Sequence, residues 1–251
     1  MGGQPLYPRF NPTLLMSQLI LEIRSELQAN ADQKTKDSAK HFFKETINVI
    51  GVKSATVEKI ARNYWKQAKT LSKQEVFALC EELFKSGVME ESFIASNWLP
   101  NISDQFEQAD LATFRRWIEN YIDNWAKCDT FCNHTVGDFM MKYPECVGEL
   151  LVWAKSGNRW MRRASAVTLI VPAKKGMFLT EAFQISDLLL TDGDDLVQKG
   201  YGWLLKAETE KHPDEVLAYV IKNKAVMPRT ALRYAIEKLP KDQKALAMKK
   251  D

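Results

Sequence analysis

The segment LLMSQLILEIRSEL, Leu14–Leu27, sets Leu14, Leu15, Leu19, Ile20, Ile23 and Leu27 at steps of three and four, so one stripe of a helix is apolar. HFFKETINVI (41–50), ATVEKIARNYW (55–65), EVFALCEELF (75–84), ATFRRWIENYI (112–122) and EVLAYVIKN (215–223) repeat the pattern. Alternating strand patterns are absent. Polar breaks separate the segments at Asn11-Pro12, Gly51, Pro100-Asn101, Ser156-Gly157-Asn158, Asp192-Gly193-Asp194, His212-Pro213 and Met227-Pro228. The chain is therefore predicted to be all-α, with a dozen or more short helices joined by short turns.

At 251 residues and 45% hydrophobic content the chain can bury a full core. One large domain over 12–251 is expected, preceded by a loose Gly- and Pro-rich arm over 1–11. The longest uncharged runs, such as Ala164–Ala173, fall far short of the roughly 20 apolar residues that span a bilayer. The four cysteines, Cys80, Cys128, Cys132 and Cys146, are too few and too unevenly placed for a disulfide framework. A soluble, monomeric, cytoplasmic protein without membrane contact is the expectation.

Three segments share a local pattern: WAKC (Trp125–Cys128), WMRR (Trp160–Arg163) and WLLK (Trp203–Lys206). Their tryptophans lie 35 and 43 residues apart, which brackets the length of a helical-hairpin repeat. If these are the inner helices of consecutive hairpins, their early residues line one surface. Large aromatics also fill grooves between hairpins, which would account for any single Trp but not for Arg163 and Lys206 at matched positions.

Charge is segregated along the chain. Asn158–Gly176 carries Arg159, Arg162, Arg163, Lys174 and Lys175 and no acid, whereas Glu181–Asp195 carries five acids and no base. In a stack of hairpins the two sets can face opposite sides, leaving a positive groove suited to phosphates, with aromatics among the cations. The overall excess of +3 is too mild to argue an anionic partner without such segregation.

WAKCD (125–129), NRWMRRA (158–164) and VQKGYGWLLK (197–206), together with HFFKETINVIGVK (41–53) and the segment 228–239, resemble the AlkD family of bacterial DNA alkylation repair glycosylases. The likeness covers most of the chain after about residue 38. It implies a right-handed α-solenoid of tandem HEAT-like helical hairpins with a concave DNA-binding face. The implied activity is hydrolysis of the N-glycosidic bond of N3- and N7-alkylated purines in duplex DNA, as in base excision repair, without metal or cofactor.

By the same resemblance Asp129 matches the catalytic aspartate, and Trp125 and Trp203 match tryptophans that flank the backbone of the lesion nucleotide. Arg163 matches an arginine on the facing helix that grips a phosphate. Arg162, Lys206, Phe42, Lys53 and Arg233 complete the implied DNA contacts. Trp125 and Asp129 are four apart and so share a helix face. The chain departs from the family pattern in Phe42 for a tyrosine, Lys53 for a glutamine, Lys206 for an arginine, and an N-terminal extension of about 15 residues. The first loses a hydroxyl, the second adds a charge and the third loses a bidentate fork.

Other readings compete. Cys128, Cys132, His134 and Cys146 invite a zinc reading, yet paired cysteine ligands ordinarily sit on a turn and buried free cysteines are common in helical cores. His41, His134 and His212 lie apart with no nucleophile motif around them. A helical scaffold that binds a peptide would carry an apolar groove. A catalytically silent binder of damaged or branched DNA would share every feature except activity.

Overall fold

The computed structural model describes residues 12–249, so the expected arm over 1–11 lies outside the described residues. No strand occurs among them, and sixteen α-helices do. The backbone divides after Leu99 into two compact units. The first holds α1 (Pro12–Ala29), α2 (Gln33–Phe42), α3 (Ser54–Ala68), α4 (Lys73–Lys85) and α5 (Met89–Trp98). The second begins with α6 (Asp110–Tyr121), α7 (Trp125–Phe131), α8 (Gly137–Lys142), α9 (Gly148–Trp153), α10 (Arg159–Val167) and α11 (Ile170–Lys174). It continues through α12 (Leu179–Leu189), α13 (Asp195–Glu208), α14 (Pro213–Asn223), α15 (Arg229–Ala235) and α16 (Lys241–Met248).

In the first unit the stripe of α1 is buried as its period requires, with Leu19, Ile20, Ile23 and Leu27 in the core. A capping box starts α4: the Glu75 carboxylate accepts from the Ser72 backbone N–H at 2.8 Å, and the Ser72 hydroxyl accepts from the Glu75 N–H. Trp98 Nε1 donates to the Ala61 carbonyl at 2.8 Å and ties α5 to α3.

HFFKETINVI departs from its helical reading. The helix α2 ends at Phe42 and residues 43–53 run as irregular backbone. Glu90 supplies the reason, because its carboxylate accepts from the N–H groups of Ile50, Gly51 and Val52 at 3.1, 2.7 and 3.1 Å. Donors that a helix would satisfy internally are met by one buried side chain instead. Gly51 adopts φ +99°, which other residues resist, and a Cβ there would stand 2.7 Å from the Asp32 carbonyl oxygen. Ile47 and Val49 are then free to pack against Met89.

The second unit is organised around Phe114, whose ring meets Phe106, Phe131, Phe139 and Trp117 at centroid distances of 5.1, 5.8, 5.8 and 5.9 Å. Phe131 anchors α7 in this cluster, and Asp129, two positions earlier, points to the opposite side of the helix. A π-helical turn over Cys132–Val136 joins α7 to α8. The Trp-bearing helices stack in chain order: α10 packs against both α7 and α13, and α13 against α15. Inner helices of successive hairpins do so, as the tryptophan spacing implies.

Glu208 of α13 is fully buried, and neither carboxylate oxygen has a hydrogen-bond partner among the described residues. Burial first, and then the like charge of Glu181 on α12, push its carboxyl up to about 7, while His212 lies one turn further on. A group raised in the native state stabilises fully below its unfolded value near 4.5 and loses that contribution as pH climbs through about 7. Thermal unfolding of the parent protein is expected to lose on the order of 1–3 kcal/mol between pH 5 and 8 from this group. Glu208→Gln is expected to flatten that slope; an identical slope in the variant assigns the pH dependence elsewhere.

Candidate active site

Three helices of the second unit begin with an Asx cap immediately before the residues of interest. Asn124 accepts from the Lys127 N–H at 3.0 Å, Asn158 from Trp160 at 2.8 Å, and Asp194 from Leu196 and Val197 at 2.9 and 3.3 Å. Each cap sets the helical phase of the residue types that follow. Trp125 thus opens α7 one turn before Asp129, Arg163 lies in the second turn of α10, and Trp203 lies two turns beyond Leu196 on α13.

Asp129 and Arg163 meet in a fork. Arg163 Nε donates to Asp129 Oδ1 at 2.8 Å and Nη2 to Oδ2 at 2.7 Å, while Nη1 donates to the Leu196 carbonyl. One guanidinium therefore ties α7, α10 and α13 together. Gly200, one turn after Leu196, lies against it, and a Cβ there would meet Arg163 Cγ at 3.4 Å, an ordinary van der Waals contact. Both charged side chains are deeply set, and the carboxylate is the more open, with 12% of its side-chain surface exposed against 6% for the arginine. Burial raises the Asp129 carboxyl above its ordinary value, and the hydrogen bonds and charge of Arg163 oppose that rise. Two parallel charge-assisted bonds of this length favour the carboxylate form. Beside it the Cys128 thiol is directed at the Trp160 carbonyl at 3.7 Å, and burial pushes it well up.

The tryptophans divide by role. Trp160 is buried between helices, whereas Trp125 and Trp203 are half-buried. Lys206, three residues after Trp203, pairs with Glu237 at 3.0 Å and lies over the Tyr234 ring at 5.4 Å. Arg233 is exposed on α15. Phe42 and Lys53 belong to the first unit, where both line a pocket of about 600 Å³ beside Lys34, Phe43 and Phe93. Phe42 is 70% exposed.

The basic stretch opening α10 is not a free positive face, and the separation of basic from acidic helices is corrected there. Arg162 Nε donates to Asp192 at 2.6 Å, and its Nη1 donates to the Ser156 and Gly157 carbonyls at 3.0 and 3.1 Å. Arg159 pairs with Asp194 at 2.7 Å. The acidic run that follows α12 folds back onto the very arginines that charge segregation sets it apart from. Sequence distance conceals these partners. The signal is present in Asp194, which as a cap has its carboxylate fixed at the start of α13. Of the cysteine reading, Cys128 and Cys132 are buried in the helical run, and no cluster of three or more His, Cys, Asp or Glu among the described residues is arranged to hold a metal ion.

An all-α stack of helical pairs, with a buried acid–arginine pair joining three helices of which two carry a half-buried tryptophan, defines a class of helical-repeat protein. The chain belongs to the family of DNA alkylation repair enzymes, which matches it over residues 23–239. A solved structure titled "Predicted DNA alkylation repair enzyme from Enterococcus faecalis" superposes with a TM-score of 0.75 at 15% identity, covering 84% of this chain and 98% of that one. At that identity the likeness shows the fold. No curated protein matches the chain. Family membership gives it a role in alkylation repair and makes DNA its implied partner. No described helix is long and apolar enough to cross a membrane.

Removing one partner of a buried ion pair strands the other. Arg163→Ala is expected to destabilise the protein by about 3–5 kcal/mol, and adding Asp129→Asn to it is expected to restore part of that loss. Urea unfolding of the two single variants and the double variant measures the coupling, and strict additivity would show that the fork is energetically idle.

Proposed function

We propose that the chain is a monofunctional DNA glycosylase that excises positively charged N3- and N7-alkylated purines from duplex DNA by hydrolysing the N-glycosidic bond. The observation that carries this reading is the Asp129 carboxylate, buried but with 12% of its side-chain surface exposed, one turn from Trp125 and held by Arg163, which also bonds Leu196 on the helix that bears Trp203. An alkylated purine is already cationic and leaves without protonation. What the reaction requires is stabilisation of a sugar that becomes positive, as in other glycosyl cleavages. A preorganised carboxylate in a low-dielectric site supplies that, and its unused lone pairs can orient the attacking water. Indole faces suit a cationic deoxyribose through cation–π and C–H contacts.

Arg163 commits three of its five N–H groups to Asp129 and Leu196, so a phosphate contact through this residue would use the remaining two. Its principal part in this reading is to aim the carboxylate. Phe42, Lys53, Arg162, Lys206 and Arg233 are proposed as backbone contacts. Arg162 and Lys206 would reach phosphate with donors that their bonds to Asp192 and Glu237 leave over, or by exchanging those partners for it.

A second reading has an observation in its favour: with both oxygens of Asp129 already bonded to guanidinium, the chain could bind damaged DNA without cleaving it. Incubation of the protein with methylated duplex separates the two, free 7-methylguanine supporting the glycosylase and its absence at saturating protein supporting the silent binder. Given activity, Asp129→Asn is expected to slow base release at least about 100-fold, the scale of removing one transition-state interaction, while DNA affinity stays within about threefold. Equal rates would remove Asp129 from the chemistry. Trp125→Ala and Trp203→Ala are each expected to lower the single-turnover rate by about tenfold, as for deletion of one cation–π partner.

A further inference from the structure

Residues 222–249 contain eight bases, Lys222, Lys224, Arg229, Arg233, Lys238, Lys241, Lys244 and Lys249, and two acids, Glu237 and Asp242. That local excess of six exceeds the excess of three carried by the entire chain, so everything outside the segment is net acidic. Glu237 is moreover engaged by Lys206, which lies outside the segment. The excess is thus concentrated on α14, α15 and α16, of which α14 packs against both of the others at the end of the second unit.

Within this cap the cations converge. A pocket of about 520 Å³ is lined by Lys224, Ala225, Met227, Pro228, Arg229, Ala247 and Lys249, with no carboxylate side chain among the described residues lining it. Lys224 Nζ donates to the Lys249 backbone carbonyl at 3.0 Å, which holds the end of α14 against the end of α16 and keeps an ammonium at the pocket wall. Arg229 and Lys249 are exposed at its mouth. Met227 and Ala247, which also line the pocket, are buried and give it an apolar part.

We infer that this pocket binds phosphodiester groups of the DNA backbone, as an anchor separate from the reaction centre at Asp129. The inference rests on the reading of the chain as a DNA-acting repair enzyme. The chemistry fits phosphate in general, through the Arg229 guanidinium fork and the Lys249 ammonium. Duplex DNA is the occupant because a polyanion engages several such groups at once. The anchor fixes position on the duplex and reads no sequence.

The salt dependence of DNA binding tests this directly. Fluorescence anisotropy of the full chain with a labelled undamaged duplex, repeated over a salt series, gives the slope of log affinity against log salt. Neutralising one phosphate-binding cation lowers the steepness of that slope by about 0.9, so Arg229→Gln with Lys249→Gln is expected to lower it by about 1.8. The charge-keeping pair Arg229→Lys with Lys249→Arg is expected to retain the slope. Single-turnover release of 7-methylguanine at saturating duplex is expected to be unchanged in both. Arg229→Gln alone, at an exposed position, is expected to give half the effect and serves if the double variant misfolds. A slope unchanged by neutralisation overturns the anchor, as does an equal drop in the charge-keeping pair. A parent protein that binds no duplex overturns the anchor and the proposed function together. One that binds but releases no base overturns the glycosylase alone and leaves the slope to decide the anchor.

Discussion

The fork between Asp129 and Arg163 is the interaction on which the second unit depends, because one guanidinium closes a junction of α7, α10 and α13. An ion pair this deep gains little net stability, since desolvation of both partners offsets most of their attraction, and a well-packed apolar pair would serve stability as well. Its effect is positional. Two parallel N–H···O bonds fix the plane of the carboxylate, and the third bond, to Leu196, fixes the distance between α10 and α13. Core packing of Phe131 on the opposite side of α7 keeps the helix from rolling away from the fork.

Around that junction the polar ends of the helices are locked in a similar manner. Asp194 caps α13 and also receives Arg159, while Asp192 accepts the Asp194 N–H at 2.8 Å and the Arg162 guanidinium through its other oxygen. Arg162 reaches in turn to the carbonyls of the turn that precedes α10. The loops before α10 and α13 are thus one hydrogen-bonded network, and the register of Arg163 against Leu196 is inherited from it. Arginine suits positions 162 and 163 better than lysine because each serves acceptors on two different segments at once.

The helices are legible in the sequence because their signal is local. Leu14–Leu27 carries its own apolar stripe, and tryptophan spacing discloses that α7, α10 and α13 are successive members of one stack. The neighbourhood of Asp129 is legible only in part. Helical spacing puts Trp125 one turn from Asp129, but that Arg163 bonds Asp129 rather than facing outward depends on how α10 seats against α7, an interaction spanning 34 residues. HFFKETINVI misleads for a related reason. Its periodicity is compatible with a helix, and the competing donor set is closed by Glu90, some forty residues on, which no local pattern displays. The outward cations expected of α10 fail likewise, since charge segregation along a chain does not persist when a loop returns its acids to an earlier helix.

That Asp129 is paired does not disqualify it as a stabiliser of positive charge. A carboxylate bound to guanidinium at 2.7–2.8 Å forms a dipole whose field depends on which end faces the approaching group. Both partners keep a little surface exposed, 12% of the aspartate side chain and 6% of the arginine, and in the proposed reading the cationic sugar meets the carboxylate end. Arg163 is held behind it by Leu196 and gives the dipole a fixed direction. An unpaired aspartate at the same depth would respond to burial by retaining its proton and would offer a neutral acid in place of a charge. The arginine therefore weakens the field of the carboxylate somewhat, and at the same time keeps it ionised and aimed, which are the two properties that the proposed reaction at a cationic sugar requires of it.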